Sequence, residues 1–358
     1  MEKIATIVGA RPQFIKTAVI SPKLRNHYQE VLIHTGQHYD YNMSEQFFEE
    51  LNIPFPDYNL GISGGTHAEM TGRMLIEIEK VLINEKPDGV LVYGDTNSTL
   101  AAALAAAKLH IPICHIEAGV RTHSITNPEE INRICTDHVS TLLLACTDAG
   151  VKELEKEGLS DKTFLVGDPM YDVYVKYSGN MNVGDVYLTQ LGSSDKIEVP
   201  EKYFYITCHR EENTSDKSIT EIFKAMESMG EKTIFPVHPR NRERVLRIIN
   251  DYGFKDIVVV EPVGYLESMA LVRNCIKVVT DSGGLQREAF FAKKQCVTVL
   301  NFVCWPETMI GNMNQLARPD AEDIIDKLSK DMVIDSNYQP FGDGNAANKI
   351  IMALQSGF

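Results

Sequence analysis

The chain has 358 residues, 44% hydrophobic and 23% charged, which excludes a disordered or fibrous protein and suits two ordinary domains or one large one. Lys and Arg total 35 against 49 Asp and Glu, a formal net charge of −14 that argues against a general nucleic-acid binder and against adhesion to anionic lipid. An anionic small molecule stays possible, because a few basic groups gathered in one cleft outweigh the global field locally.

Short β-rich runs alternate with helix-period segments along the first half. Strands are predicted at residues 4–8, 31–34, 90–93, 111–116, 142–145 and 164–166, with helices at 12–27, 67–84, 98–109, 128–139 and 148–157. Apolar strands with helices between them predict a parallel, doubly wound sheet. Residues 177–199 are rich in Gly, Ser, Asn and Asp and show no clear core face, so they read as a poorly packed connector after a boundary near residue 170. The alternation then restarts, with strands at 203–207, 233–237, 257–260, 277–280 and 296–300 and helices at 218–229, 241–252, 265–273 and 284–291. Residues 346–354 read as a last amphipathic helix. The expected architecture is two α/β domains with an active-site cleft between them, at the C-terminal edges of the strands.

No apolar run approaches the ~18 residues that cross a bilayer, and the N-terminal apolar stretch is too short for a signal peptide. The seven cysteines are odd in number, none in a C-x-x-C pair, and mostly in apolar contexts such as Leu143-Leu144-Ala145-Cys146. They read as buried thiols in a reducing cytoplasm, not a disulfide frame or a zinc site.

Common nucleotide fingerprints are missing: there is no G-x-x-x-x-G-K-[ST] and no G-x-G-x-x-G after the first strand. Gly61-Ile62-Ser63-Gly64-Gly65 matches a nucleophile elbow, but Pro54 and Pro56 precede it where a central strand would have to run. More telling are the strand ends. The first leads into Gly9-Ala10-Arg11-Pro12, where a helix N-terminus with free N–H groups beside Arg11 suits an anion. Thr280-Asp281-Ser282-Gly283-Gly284 repeats that geometry in the second half, with two glycines that admit a phosphate, Ser282 as a further donor, and Glu288 one turn on for a vicinal diol. The bland alternative is an Asp or Ser cap with glycines serving helix packing.

Acidic residues converge on the same edge of the first sheet: Asp95 and Glu117 at strand ends and Glu129 with Glu130 opening a helix. Partly desolvated carboxylates suit general acid and base work, whereas the bland reading is caps and helix-dipole complements. Strand ends in the second half carry Cys208-His209-Arg210 and His238-Pro239-Arg240, positive charge suited to a diphosphate. Those histidines lack a third ligand at suitable spacing, so no metal site is expected.

In order along the chain, Gly9-Ala10-Arg11-Pro12-Gln13-Phe14-Ile15-Lys16, Gly36-Gln37-His38, Gly94-Asp95-Thr96-Asn97-Ser98-Thr99, His115-Ile116-Glu117-Ala118-Gly119-Val120-Arg121, Pro128-Glu129-Glu130-Ile131-Asn132-Arg133, His209-Arg210 and Asp281-Ser282-Gly283-Gly284 resemble the non-hydrolysing UDP-N-acetylglucosamine 2-epimerases. The resemblance covers nearly the whole chain. It implies a GT-B-type fold of two Rossmann-like domains: residues 1–170 with a returning helix in 342–358 carrying the acid and base groups, and residues 171–341 binding UDP. It implies an isomerase without cofactor, a homodimer, and a role in surface polysaccharide synthesis.

By the same resemblance Asp95, Glu117, Glu129 and His209 are catalytic. Arg11, Lys16, Arg133, Arg210, His238, Ser282, Gly283, Gly284 and Glu288 attend UDP, and domain closure shields the intermediate. Leu300-Asn301-Phe302-Val303-Cys304-Trp305-Pro306-Glu307 departs from the family's usual Arg-Asp-x-Thr-Glu-Arg-Pro-Glu, and residues 36–43 and Glu261-Pro262-Val263-Gly264-Tyr265 also look closer to enzymes acting on UDP-2,3-diacetamido-glucuronic acid. A GT-B glycosyltransferase is the rival from another class.

Gln37, His38 and Arg73 match a second substrate-binding site found in some bacterial members, but Tyr39 and Asp40 do not, and Asp40 sets negative charge near an anionic ligand. Steady-state rates are therefore expected to be hyperbolic in substrate. Sigmoidal rates, or a reverse reaction that needs added UDP-N-acetylglucosamine, would refute this.

Overall fold

A computed structural model describes residues 2–37, 45–238, 241–333, 335 and 337–357, excluding the side chains of residues 45, 46 and 211. The chain divides into two compact units, Met1–Lys176 with Gln339–Phe358 and Tyr177–Tyr338.

The first unit runs β1 (Lys3–Val8), α1 (Arg11–Leu24), β2 (Gln29–His34), α2 (Glu45–Glu50), β3 (Tyr58–Asn59), α3 (His67–Glu85), β4 (Gly89–Tyr93), α4 (Asn97–Lys108), β5 (Ile113–Ala118), α5 (Pro128–Val139), β6 (Leu142–Ala145), α6 (Asp148–Lys156) and β7 (Thr163–Leu165), with α7 (Pro169–Tyr177) leading out. Its sheet has the order β3-β2-β1-β4-β5-β6-β7, and its pairings are parallel. The order reverses between β1 and β4, so the turns carrying Arg11 and Asp95 leave neighbouring strands at the switch point, where such sheets bind ligands. Helix α4 approaches closely because Ala101, Ala102, Ala103, Ala105 and Ala106 are all buried, packing with Ile7, Val90 and Val92 of the sheet in one core.

The second unit runs β8 (Tyr187–Thr189), β9 (Lys196–Glu198), β10 (Tyr203–Thr207), α8 (Asp216–Ser228), β11 (Lys232–Pro236), α9 (Arg242–Tyr252), β12 (Ile257–Val260), α10 (Tyr265–Asn274), β13 (Val278–Thr280), α11 (Gly283–Phe291), β14 (Cys296–Val299), β15 (Asn314–Ala317) and α12 (Ala321–Leu328). Its sheet has the order β12-β11-β10-β13-β14-β15, again parallel, with the switch point between β10 and β13. Those two strands deliver His209 and the Ser282 turn to adjacent positions.

Three expectations need correction. Six of the seven cysteines are buried, but Cys135 on α5 is exposed. Residues 177–199 are not a loose connector: β8 and β9 form an antiparallel hairpin, Gln190 bridges Val260 at the β12 edge, and Met181, Val186, Leu188 and Leu191 are buried. The polar turn composition hid two short strands. Strand β15 was also not expected; its Asn-Gln-Leu-Ala sequence carries no apolar alternation, yet Asn314 is buried because its Oδ1 accepts a hydrogen bond from Thr298 Oγ1 at 2.6 Å.

The last helix, α13 (Ala346–Gly357), belongs to the first unit. It packs on α1 and buries Ile350, Ile351 and Leu354. The Asp172 carboxylate accepts from the backbone N–H groups of Ala346 (3.0 Å) and Ala347 (2.8 Å), satisfying two donors of its first turn. Asp172→Ala leaves both unpaired in a buried setting and is expected to cost about 1–2 kcal/mol. The readouts are a lower melting temperature and faster proteolytic cleavage between residues 338 and 346. Unchanged melting and cleavage would contradict this anchoring.

Candidate active site

At the switch point of the first sheet, β5 ends in a bulge: its register with β6 shifts between Ile116 and Ala118, and Glu117 has φ +73°. A left-handed conformation at a non-glycine residue costs on the order of 1–3 kcal/mol and persists only where its surroundings impose it. Glu117 is buried, and its Oε2 lies 2.5 Å from Nζ of Lys16, which is 1% exposed. Removing either partner of such a pair leaves an uncompensated buried charge, a loss of about 3–5 kcal/mol. Gly94 has φ +60°, and a Cβ there would sit 3.5 Å from Glu117 Oε1 and 3.7 Å from Lys16 Nζ, so the turn before Asp95 lies against the pair.

The Asp95 carboxylate is paired with the buried guanidinium of Arg133, which also donates to Glu130 at 3.0 Å. Glu130 is further occupied by the N–H groups of Thr122 and His123 and by the Thr122 hydroxyl. Burial pushes its carboxyl up, but these donors outweigh burial and hold it below the usual range. Glu130 therefore secures the loop before α5. The half-buried Glu129 beside it has its backbone N–H capped by Asn127 Oδ1 at 3.1 Å.

Two of the N–H groups after β1, those of Gly9 and Ala10, are already occupied. Gln13 Oε1 accepts from Gly9 N (2.7 Å) and Ala10 N (3.0 Å), while its amide nitrogen donates to the Tyr93 carbonyl (2.8 Å) and Thr99 Oγ1 (2.9 Å). Gln13 thus ties the β1 turn to the β4 turn. Arg11 stays at this edge, its guanidinium 5.1 Å from the Phe47 ring centroid. Gln13 was read only as part of the first motif, although a glutamine among apolar helix residues was the available signal.

In the second unit, buried Asp281 accepts from the N–H groups of His209 (2.9 Å) and Arg210 (2.8 Å), and its Oδ1 lies 3.1 Å from His209 Nδ1. Burial pushes this carboxyl up, but the His209 ring and those N–H groups hold it below its usual range. Arg210 Nε donates to the Asp281 carbonyl at 2.9 Å, and its guanidinium lies 5.4 Å from the Phe302 ring centroid. Ser282 caps α11, accepting from Leu285 N at 3.3 Å, which leaves its hydroxyl hydrogen able to donate outward.

A Cβ on Gly283 would meet nothing nearer than Trp305 Nε1 at 3.8 Å, and one on Gly284 nothing nearer than Ser282 Oγ at 3.6 Å. Internal packing therefore does not require these glycines, which answers the helix-packing alternative. Glu288 is buried one turn into α11, and half-buried His238 follows β11, its carbonyl accepting from Asn241 N at 2.8 Å.

Of the second-site residues, Gln37 Oε1 accepts from Ser98 Oγ at 2.8 Å and Arg73 donates to the Gly64 carbonyl at 2.6 Å. His38, Tyr39 and Asp40 lie outside the described residues. Ligand atoms of Glu117, Cys146 and Asp168 lie within 4.8 Å of one another, but the Lys16 ammonium already supplies positive charge at Glu117.

The fold is of the GT-B type, and the chain is an isomerase by its kinship. The profile of the family described as UDP-N-acetylglucosamine 2-epimerase matches residues 22–355. A Methanococcus maripaludis protein named UDP-N-acetylglucosamine 2-epimerase homolog is 45% identical, covering 99% of both chains. The Pseudomonas aeruginosa UDP-2,3-diacetamido-2,3-dideoxy-D-glucuronate 2-epimerase is 43% identical over 97% of this chain and 98% of its own. The crystal structure of the Methanocaldococcus jannaschii UDP-GlcNAc 2-epimerase in complex with UDP-GlcNAc and UDP superposes with a TM-score of 0.88 at 38% identity, covering 99% of this chain and 100% of that one. The chain belongs to the UDP-N-acetylglucosamine 2-epimerase family.

Because a Cβ at Gly284 would meet only Ser282 Oγ, at an ordinary 3.6 Å, Gly284→Val should fold normally yet lower UDP affinity by roughly tenfold or more. Calorimetry with UDP checks this; unchanged affinity in a folded variant removes the turn from the binding site.

Proposed function

We propose that this chain interconverts UDP-N-acetylglucosamine and UDP-N-acetylmannosamine by eliminating and re-adding UDP. A carboxylate removes the C2 proton, the C–H electron pair becomes the C1–C2 double bond, and the C1–O bond breaks to release UDP. Re-addition of UDP at C1, with a proton delivered to the other face of C2, yields the epimer. The observation that carries this reading is the pairing of Glu117 with Lys16 and of Asp95 with Arg133 at one sheet edge. Each carboxylate has a cation beside it, at the strand ends where sheets of this kind bind ligands.

Asp95, Glu117 and Glu129 are the acid and base groups in this reading. Because C2–H is weakly acidic, its removal depends on stabilising the charge that builds on departing UDP. Arg11, His209, Arg210, His238 and the α11 N-terminus at Ser282, Gly283 and Gly284 supply that stabilisation, and Glu288 takes the ribose diol. With Asp281 accepting at Nδ1, the His209 ring presents Nε2 to a ligand. Assembly as a homodimer, a cytoplasmic location and supply of surface polysaccharide precursors belong to the same proposal. Among the described residues, no helix is long and apolar enough to cross a membrane.

Proton NMR of the chain with UDP-N-acetylglucosamine alone, in D₂O, tests the reaction. The epimer should appear without any acceptor, and both epimers should become deuterated at C2, because the carboxylates exchange protons with water. Hydrogen retained at C2 during turnover would falsify the mechanism, and no turnover on this sugar but turnover on the diacetamido-uronate would reassign the substrate. Asp95→Asn, Glu117→Gln and Glu129→Gln should each lower kcat by roughly a hundredfold or more with little change in UDP affinity. Wild-type turnover in any one would remove that residue from the chemistry.

A further inference from the structure

Behind the carboxylates lies a buried cluster that the reaction scheme does not use. His115, in the middle of β5, is fully buried, and both of its ring nitrogens have partners. Nε2 lies 2.7 Å from the Gly94 carbonyl oxygen and Nδ1 2.6 Å from Asp137 Oδ1. A carbonyl oxygen only accepts, so Nε2 carries a hydrogen. Asp137, on α5, also faces the Arg121 guanidinium at 2.7 Å and accepts from Gly119 N at 3.2 Å, a set of donors that suits an ionised carboxylate. Burial pushes the Asp137 carboxyl up, but His115 and Arg121 outweigh burial and hold it below its usual range. The His115 ring thus bridges the Gly94 carbonyl and the Asp137 carboxylate. Arg121 is held in turn by Glu157, with Nε–Oε1 2.7 Å and Nη2–Oε2 2.9 Å, and His138 Nε2 lies 3.0 Å from Glu157 Oε2.

The placement of these bonds suggests what they do. Gly94 immediately precedes Asp95, and its N–H donates to the Ile116 carbonyl at 2.9 Å. His115 and Gly119 flank Glu117 by two residues on either side, and the Asp137 carboxylate holds both. The cluster therefore grips the left-handed bulge from both ends and, through the imidazole, fixes the turn that delivers Asp95. We propose that His115 and Asp137 are positioning residues: a buried, hydrogen-bonded histidine–aspartate pair that imposes the bulge at Glu117 and sets its spacing from Asp95. The inference rests on the proposed roles of those two carboxylates, although the hydrogen-bond geometry stands apart from them.

Asp137→Asn and His115→Gln are the variants. Each should lower kcat by roughly ten- to hundredfold, the penalty for reacting groups misplaced by an ångström or less, with the KM for UDP-N-acetylglucosamine and UDP affinity within about twofold of wild type. Adding Asp137→Asn to Glu117→Gln should cost clearly less than the product of the two single losses, because Asp137 acts in part through Glu117. Full turnover per folded molecule, or losses that multiply in the double variant, would overturn the positioning role.

A crystal structure of the wild-type chain provides a readout that does not depend on the variants folding. His115 is expected to bridge the Gly94 carbonyl and Asp137 with Glu117 left-handed; other partners for His115, or an extended Glu117, would overturn the assignment. If wild type turns over no UDP-sugar, the proposed function fails while the crystallographic result stands or falls separately.

Discussion

The first unit depends on one constraint: a glutamate held in the left-handed region at the end of a central strand, with its carboxylate locked onto a buried lysine. Neither feature is favourable alone. A left-handed non-glycine residue strains the backbone, and desolvating two charges costs more than an exposed pair returns. Each makes the other possible. The bulge turns the Glu117 side chain to Lys16, and Lys16, held in α1, gives the carboxylate a partner that burial would otherwise deny it. Gly94 lies against this pair, and Gln13 joins the β1 and β4 turns, so Arg11 and Asp95 are fixed by the same few bonds.

The second unit uses the same sheet logic with opposite charge. At its switch point a buried aspartate does not face a ligand; it orients the donors that can. Asp281 holds His209 through the ring and the backbone, and holds the Arg210 side chain through its own carbonyl. The capped N-terminus of α11 stands beside it, with two glycines that no internal neighbour requires. One unit thus concentrates ion-paired carboxylates at its switch point, and the other concentrates hydrogen-bond donors. The departing segment at residues 300–307 packs here too, with Cys304 and Trp305 next to Gly283 and the Trp305 ring 4.0 Å from the Arg287 guanidinium.

Strand and helix order was legible because several buried parallel strands hold short apolar runs, such as Val90-Leu91-Val92 and Ile257-Val258-Val259-Val260, and helices such as α5 announce themselves with Asn127 at the cap and Pro128 in the first turn. Strand β15 and the β8–β9 hairpin were not, because edge strands and short hairpins carry polar residues whose burial depends on neighbours distant in sequence. At the site, strand-end positions of Asp95, Glu117, His209 and Ser282 followed from chain order alone. Pairings did not: nothing local shows that Lys16 meets Glu117 101 residues away, or that Glu130 secures a loop while Glu129 beside it does not. The left-handed bulge was hidden as well, since it arises from a register shift against β6.

The central claim is that the carboxylates work at C2 while the bond from C1 to UDP breaks and re-forms. The most direct test is positional isotope exchange with UDP-N-acetylglucosamine carrying ¹⁸O in the oxygen that bridges C1 and the β-phosphorus. If UDP departs and returns, the label should scramble into the non-bridging oxygens of the β-phosphate as the epimers interconvert. Epimer formation with the label confined to the bridge would mean that C1–O never breaks, and would contradict the account.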